Sequence, residues 1–167
     1  MNAEEYIHVT ADGLYSFDWK PRGGRGFNRT LDNVVRNYYF QLGCDRGGEA
    51  YWQEVIADAT ARDIRGQHQP YQYCVLMTQV ATQSVVGFCL LRRGKTCQYQ
   101  EGSRVPLCQY PEQSWYVEFI CTARGQGHGR AFMNELHRRA ADLGIEYITL
   151  SALPEVIMFY HGAGYKL

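Results

Sequence analysis

The sequence has no excess of either charge: seventeen Lys and Arg stand against seventeen Asp and Glu, a formal net charge of zero. Without an overall field, charge alone holds the chain on neither nucleic acid nor an anionic membrane. Long apolar runs are missing too. None approaches the roughly 18 residues of a membrane span, and the opening "MNAEEYIHVT" has neither the basic nor the apolar part of a signal peptide. These absences lead us to expect a soluble, intracellular and cytoplasmic protein with no nucleic-acid or membrane partner. No C-x-x-C occurs among the six cysteines, at 44, 74, 89, 97, 108 and 121, and no His stands at a metal-ligand spacing from them. No metal is expected. Several of these cysteines lie in strand-like apolar runs ("YCVLM", "GFCLL", "EFICT"), a placement that suits buried thiols. There is no internal repeat or low-complexity tract.

What is present is the composition of a folded chain, 46% apolar and 20% charged, and 167 residues suffice for one domain with a real core, spanning 1–167. "YIHVT" alternates as a first strand. Residues 20–30, "KPRGGRGFNRT", read as a Pro- and Gly-rich loop. Two amphipathic helices follow, one over 30–42 with Thr30 as its N-cap, and one in "GEAYWQEVIADATARDI". "YQYCVLMTQV" and "SVVGFCLLRR", separated by "ATQ", predict an antiparallel hairpin. Residues 95–113 read as a polar connection, and "SWYVEFIC" as a further strand. From Gly127, Phe132, Leu136, Ala140 and Leu143 recur at helical spacing, and Gly144 sits where that helix ends. "IEYITLS" predicts a strand, and "PEVIMFYHG" a short helix with Pro154 in its first turn. The order is β-α-α-β-β-β-α-β-α, an α/β (α+β) architecture.

The chemistry gathers at "FICTARGQGHGRAFMNEL". A strand that feeds a glycine-rich turn opening a helix aims free backbone N–H groups and the positive end of the helix dipole at an anion. Glycines at 125, 127 and 129 remove the Cβ atoms that would hold a diphosphate away, and Arg124 and Arg130 add charge on either side. The plainer reading is a turn built of glycine for tight packing. A dinucleotide fingerprint does not fit, because Arg130 stands where its last glycine belongs, and no Gly-Lys-Ser/Thr follows for a P-loop. What fits is R-x-x-G-x-G: Arg124, Gly125, Gln126, Gly127, His128, Gly129.

This turn resembles the acetyl-CoA signature of the GNAT superfamily of N-acetyltransferases, and "FYHGAGY", about 30 residues on, resembles that family's F-Y-x-x-x-G-F element. The resemblance covers roughly residues 114–167. It implies a mixed, splayed central sheet flanked by helices, with a C-terminal strand short or missing. It further implies acetyl-CoA as co-substrate, an amine acceptor as partner, no metal, and a monomer or homodimer. Backbone N–H groups from Gln126 to Arg130 would cradle the diphosphate, and Ile120, Cys121 and Thr122 would pair with the pantetheine arm. Acetyl would pass directly from thioester to amine, which needs an acid near the sulfur and a base for the amine. Tyr160 aligns with the family's acid; its plainer reading is a packed helix tyrosine. For the base, Glu118 is the carboxylate inside a strand run, in otherwise apolar surroundings that would raise its pKa, with Tyr116, Glu118 and Ile120 on one face by alternation. A water relay competes with it. His128 and His161 read as ordinary loop residues, and Cys121 as a packed thiol rather than a nucleophile. A non-catalytic acyl-CoA binding module is the alternative function. An RNA-binding protein built around "PRGGRG" is a third reading.

Overall fold

A computed structural model describes residues 5–44, 71–94, 96–98, 101–104, 107–109, 112–124, 127–150 and 156–166. β1 (Tyr6–Val9) turns back into β2 (Tyr15–Pro21), a strand the sequence reading passes over. Its alternation is nonetheless complete: Tyr15, Phe17 and Trp19 are buried, while Ser16, Asp18 and Lys20 lie half-buried on the other face. α1 (Phe27–Asn33) begins before the expected cap at Thr30 because Phe27 is a core residue, 1% exposed. It runs on through a π-helical turn (Val34–Tyr38) into a last turn, α2 (Tyr39–Gln41). The second expected helix, residues 48–64, lies outside the described residues.

β3 (Tyr71–Gln79) and β4 (Ser84–Arg93) form the expected antiparallel hairpin. The segment read as a plain connection instead carries a small antiparallel ribbon, β5 (Thr96–Gln98) and β6 (Leu107–Gln109), whose strands are too short for alternation to register. β7 (Ser114–Thr122), α3 (His128–Leu143), β8 (Tyr147–Leu150) and α4 (Ile157–Gly162) follow. The main sheet has the order β1-β2-β3-β4-β7-β8, antiparallel throughout except for the parallel pair β7 and β8. Three strands thus extend the expected order.

α3 covers one face of the sheet. Phe132, Leu136 and Ala140 are buried as the periodicity requires, whereas Leu143 is 41% exposed and drops out of the stripe. Gly144, at φ +71°, ends the helix in the left-handed conformation, and the Ile145 N–H donates to the Ala140 carbonyl at 2.8 Å. Glu135 is buried among these apolar side chains, so its charge must be met. His8 Nδ1 lies 2.8 Å from it, Arg138 Nη2 2.7 Å, and the Trp19 indole N–H donates at 3.2 Å. That network ties α3 to β1 and β2. On the opposite face, Phe27, Leu31, Val34 and Tyr39 close a smaller core over Cys74, Phe88 and Leu90.

Candidate active site

β7 changes character halfway along. Opposite β4, Leu91 pairs with Val117 but Leu90 pairs with Phe119, which leaves Glu118 as the extra residue of a β-bulge. The alternation therefore slips: Trp115 and Val117 belong to the core under α3, while Phe119 and Cys121 face the core under α1. Ile120 returns to the α3 side, paired with Cys89. This corrects the expectation that Tyr116, Glu118 and Ile120 share one face. Glu118 is also not set in purely apolar surroundings, because its Oε2 lies 3.6 Å from Arg92 Nε. Arg92 alternates with Phe88 and Leu90 and so lies on the α1 side.

The described pairing of β7 with β8 stops at Val117 opposite Leu150. β7 runs on to Thr122, held by β4 on its other side through Gly87 opposite Thr122. Ile120, Cys121 and Thr122 have no β8 partner among the described residues. The residues that would continue β8 opposite 118–122, namely 151–155, lie outside the described residues.

Beyond β7 comes the glycine turn. Gly125 and Gln126 lie outside the described residues. Gly127, at φ +74°, precedes α3 in the left-handed conformation, where a Cβ is strained. It supplies no side-chain cap, and the first turn of α3 has no acidic residue. Helix geometry leaves the N–H groups of the first turn without intrahelical acceptors, a ready anion seat. Arg124 and Arg130 are exposed on either side of it. Gly129 serves the other purpose, since a Cβ there would lie 3.2 Å from Phe159 Cζ and 3.5 Å from Thr122 Oγ1. One glycine answers to backbone conformation and the other to packing.

His128 is not an ordinary loop residue. It is 3% exposed, the first residue of α3, and its Nδ1 lies 2.7 Å from the Tyr15 hydroxyl. His161, by contrast, is exposed on α4. Tyr160, also on α4, is half-buried against the core under α3, with Phe159 and Tyr165 edge-on at 5.3 and 6.0 Å. Burial, and after it the Cys89 thiol below, pushes its hydroxyl pKa up. Tyr160 and Glu118 accordingly flank β7 from its two sides.

Cys121 departs from the buried-thiol expectation, for it forms a disulfide with Cys44 across a sequence separation of 77, with Cα atoms 6.1 Å apart. Cys74 and Cys89 are buried free thiols as expected; burial pushes Cys74 up to about 12 and Cys89 well above its ordinary range. Neither is a nucleophile at neutral pH. The sequence reading missed Tyr15 and Arg92, which sit on strands far from the motif in the chain; only the sheet register brings them in. Among the described residues no cluster of His, Cys, Asp or Glu could hold a metal ion, and no helix is long and apolar enough to cross a membrane.

No protein-family model and no curated protein matches the chain. Solved structures do. An aminoglycoside acetyltransferase, meta-AAC0020, from an uncultured soil metagenomic sample, crystallised with trehalose, superposes with a TM-score of 0.53 at 10% identity, covering 93% of this chain and 91% of that one. The same enzyme with sisomicin gives a TM-score of 0.51 at 10% identity, covering 93% and 88%. A Pyrococcus furiosus protein designated an acetyl transferase gives 0.51 at 14% identity, covering 90% and 93%. At such identities the likeness is one of fold, and the fold is GNAT-like: a mixed, mostly antiparallel sheet flanked by helices.

Proposed function

We propose that the chain is an acetyl-CoA-dependent N-acetyltransferase that moves an acetyl group directly to a primary amine, of a small molecule or of a protein lysine or N-terminus. The observation that carries this reading is the end of β7: Thr122 lies against Gly129, beside the left-handed Gly127 and the open first turn of α3. A strand that runs into an anion seat for a diphosphate, with an amide-rich arm expected along it, suits a coenzyme A thioester better than a nucleotide alone.

On this reading the N–H groups from Gln126 to Arg130 hold the diphosphate, and the backbone of Ile120, Cys121 and Thr122 pairs with the pantetheine amides. The amine nitrogen attacks the thioester carbonyl carbon, the C–S bond breaks, and the sulfur takes a proton from Tyr160. Burial suits Tyr160 to this role, because a hydroxyl with a raised pKa stays protonated at neutral pH. The ammonium proton leaves from the other side of β7, to Glu118 beside Arg92 or to water relayed there. Acid and base on opposite sides of the strand keep the two proton transfers apart.

The test is release of free thiol from acetyl-CoA with a panel of amines, polyamines and aminoglycosides among them, alongside lysine peptides. Turnover on one class, lowered on the order of a hundredfold by Tyr160→Phe, supports the reading. Coenzyme binding without turnover on any amine, and no change with Tyr160→Phe, leaves the binding module in its place.

A further inference from the structure

The buried face of β2 and one side of α3 meet residue by residue. Tyr15 bonds to His128 at 2.7 Å, Phe17 packs edge-on against Phe132 at 5.2 Å, and the Trp19 indole N–H donates to Glu135 at 3.2 Å. Four residues of strand rise about 13 Å, and seven of helix about 10 Å, so the two series stay in step. β2 is thus a rail beneath α3, apolar in the middle and polar at both ends. The apolar contact resists separation but not rotation of the helix, since packing is not directional; the polar ends supply direction.

At the Tyr15 end the polar tie among the described residues is the Tyr15–His128 bond. Gly127 has no side chain with which to cap the helix, and the Gly129 contact with Phe159 is a close approach, not a bond. Tyr15 is 8% and His128 3% exposed, so each polar group is short of water and depends on the other. His128 also lies between the two glycines, so the orientation of its ring is coupled to that of the amides in the turn.

We propose that Tyr15 and His128 are a positioning pair that aims the first-turn N–H groups of α3 at the diphosphate of the donor. This rests on the acetyl-CoA reading above. The pair touches no reacting atom; it acts through the backbone of residues 127–130.

Calorimetric binding of three probes to the full chain tests it: coenzyme A, inorganic pyrophosphate, which retains the diphosphate alone, and pantetheine, which lacks it. Tyr15→Phe and His128→Leu should each weaken coenzyme A and pyrophosphate roughly tenfold, with pantetheine within twofold of the unaltered chain. The double variant should be no weaker than either single one, because both remove the same bond. His128→Asn, which keeps a polar atom near the place of Nδ1, should stay within threefold, and it serves as the informative variant if Tyr15→Phe does not fold. Unchanged pyrophosphate affinity in Tyr15→Phe or His128→Leu overturns the pair while leaving the acetyl-CoA reading intact. Equal losses for pantetheine and pyrophosphate also overturn it, since they mean general loosening. No coenzyme A binding by the unaltered chain overturns both.

Discussion

The two halves of β7 are made from one continuous run of nine residues, yet they are held in different ways. Ser114–Val117 is paired to β4 on one side and β8 on the other, and Trp115 and Val117 are buried under α3. From Ile120 to Thr122 the described pairing is to β4 alone, every residue is half-exposed, and the tie on the far face is the Cys44–Cys121 bond. The first half has packing and hydrogen bonds in surplus, and nothing further can be added to it. The second half rests on β4 and, across the far face, on that disulfide. Two ways of holding a strand are thus set apart along β7 by one bulged residue.

That separation can be broken from either end. The largest effect should come from Trp115→Ala, which removes a buried indole from the doubly paired half and should lower unfolding free energy by about 4 kcal/mol in denaturant titration. Next comes Cys44→Ser, expected to cost roughly 3 kcal/mol. Its signature should be local, with faster amide hydrogen exchange at residues 120–122 than at 114–117; equal acceleration in both would erase the distinction. Tyr160→Phe should leave the unfolding midpoint within a degree or two and lower kcat on the order of a hundredfold. With Tyr160 intact, the rate should hold to above pH 10, the ordinary tyrosine value, and then fall, because burial keeps the acid protonated past that point. Stability should begin to decline earlier, from about pH 10, since the unfolded chain loses the proton first.

The smallest effect concerns His137, bonded to Tyr165 at 3.1 Å on the helix flank away from the glycine turn. Burial lowers its pKa below the ordinary 6.5, so the unfolded chain takes up the proton first as pH falls. The stability this contributes is present above pH 6.5 and lost on acidification. His137→Gln should flatten the acid limb of the unfolding midpoint without altering the alkaline limb of the rate.

How far the sequence foretells this contrast depends on the range over which each feature is encoded. α3 and its stop at Gly144 are local, a helical period and a left-handed glycine, and both were legible. So was the β3–β4 hairpin. β2 was equally legible from Tyr15, Phe17 and Trp19, but the reading passes over residues 11–19 and takes Lys20 and Pro21, the end of the strand, into the loop over 20–30. The bulge at Glu118 is set by the register with β4, and the Cys44–Cys121 bond by the docking of α1 and α2; neither leaves a mark in a window of ten residues. His128 sits in a motif position that says nothing of a tyrosine 113 residues earlier.

Glu118 finally makes β7 sensitive to length in an uneven way. A codon lost from the ribbon segment between β4 and β7 would shorten a surface excursion and leave the sheet in phase. The same loss at Glu118 would take out the bulged residue and leave Phe119 opposite Leu90 and Ile120 opposite Cys89, whereas a residue added after Phe119 would turn Ile120 and Cys121 to the opposite faces and part Cys121 from Cys44 in a single step. Among natural variants of this chain, insertions should therefore accumulate before Ser114 and be purged between Phe119 and Thr122.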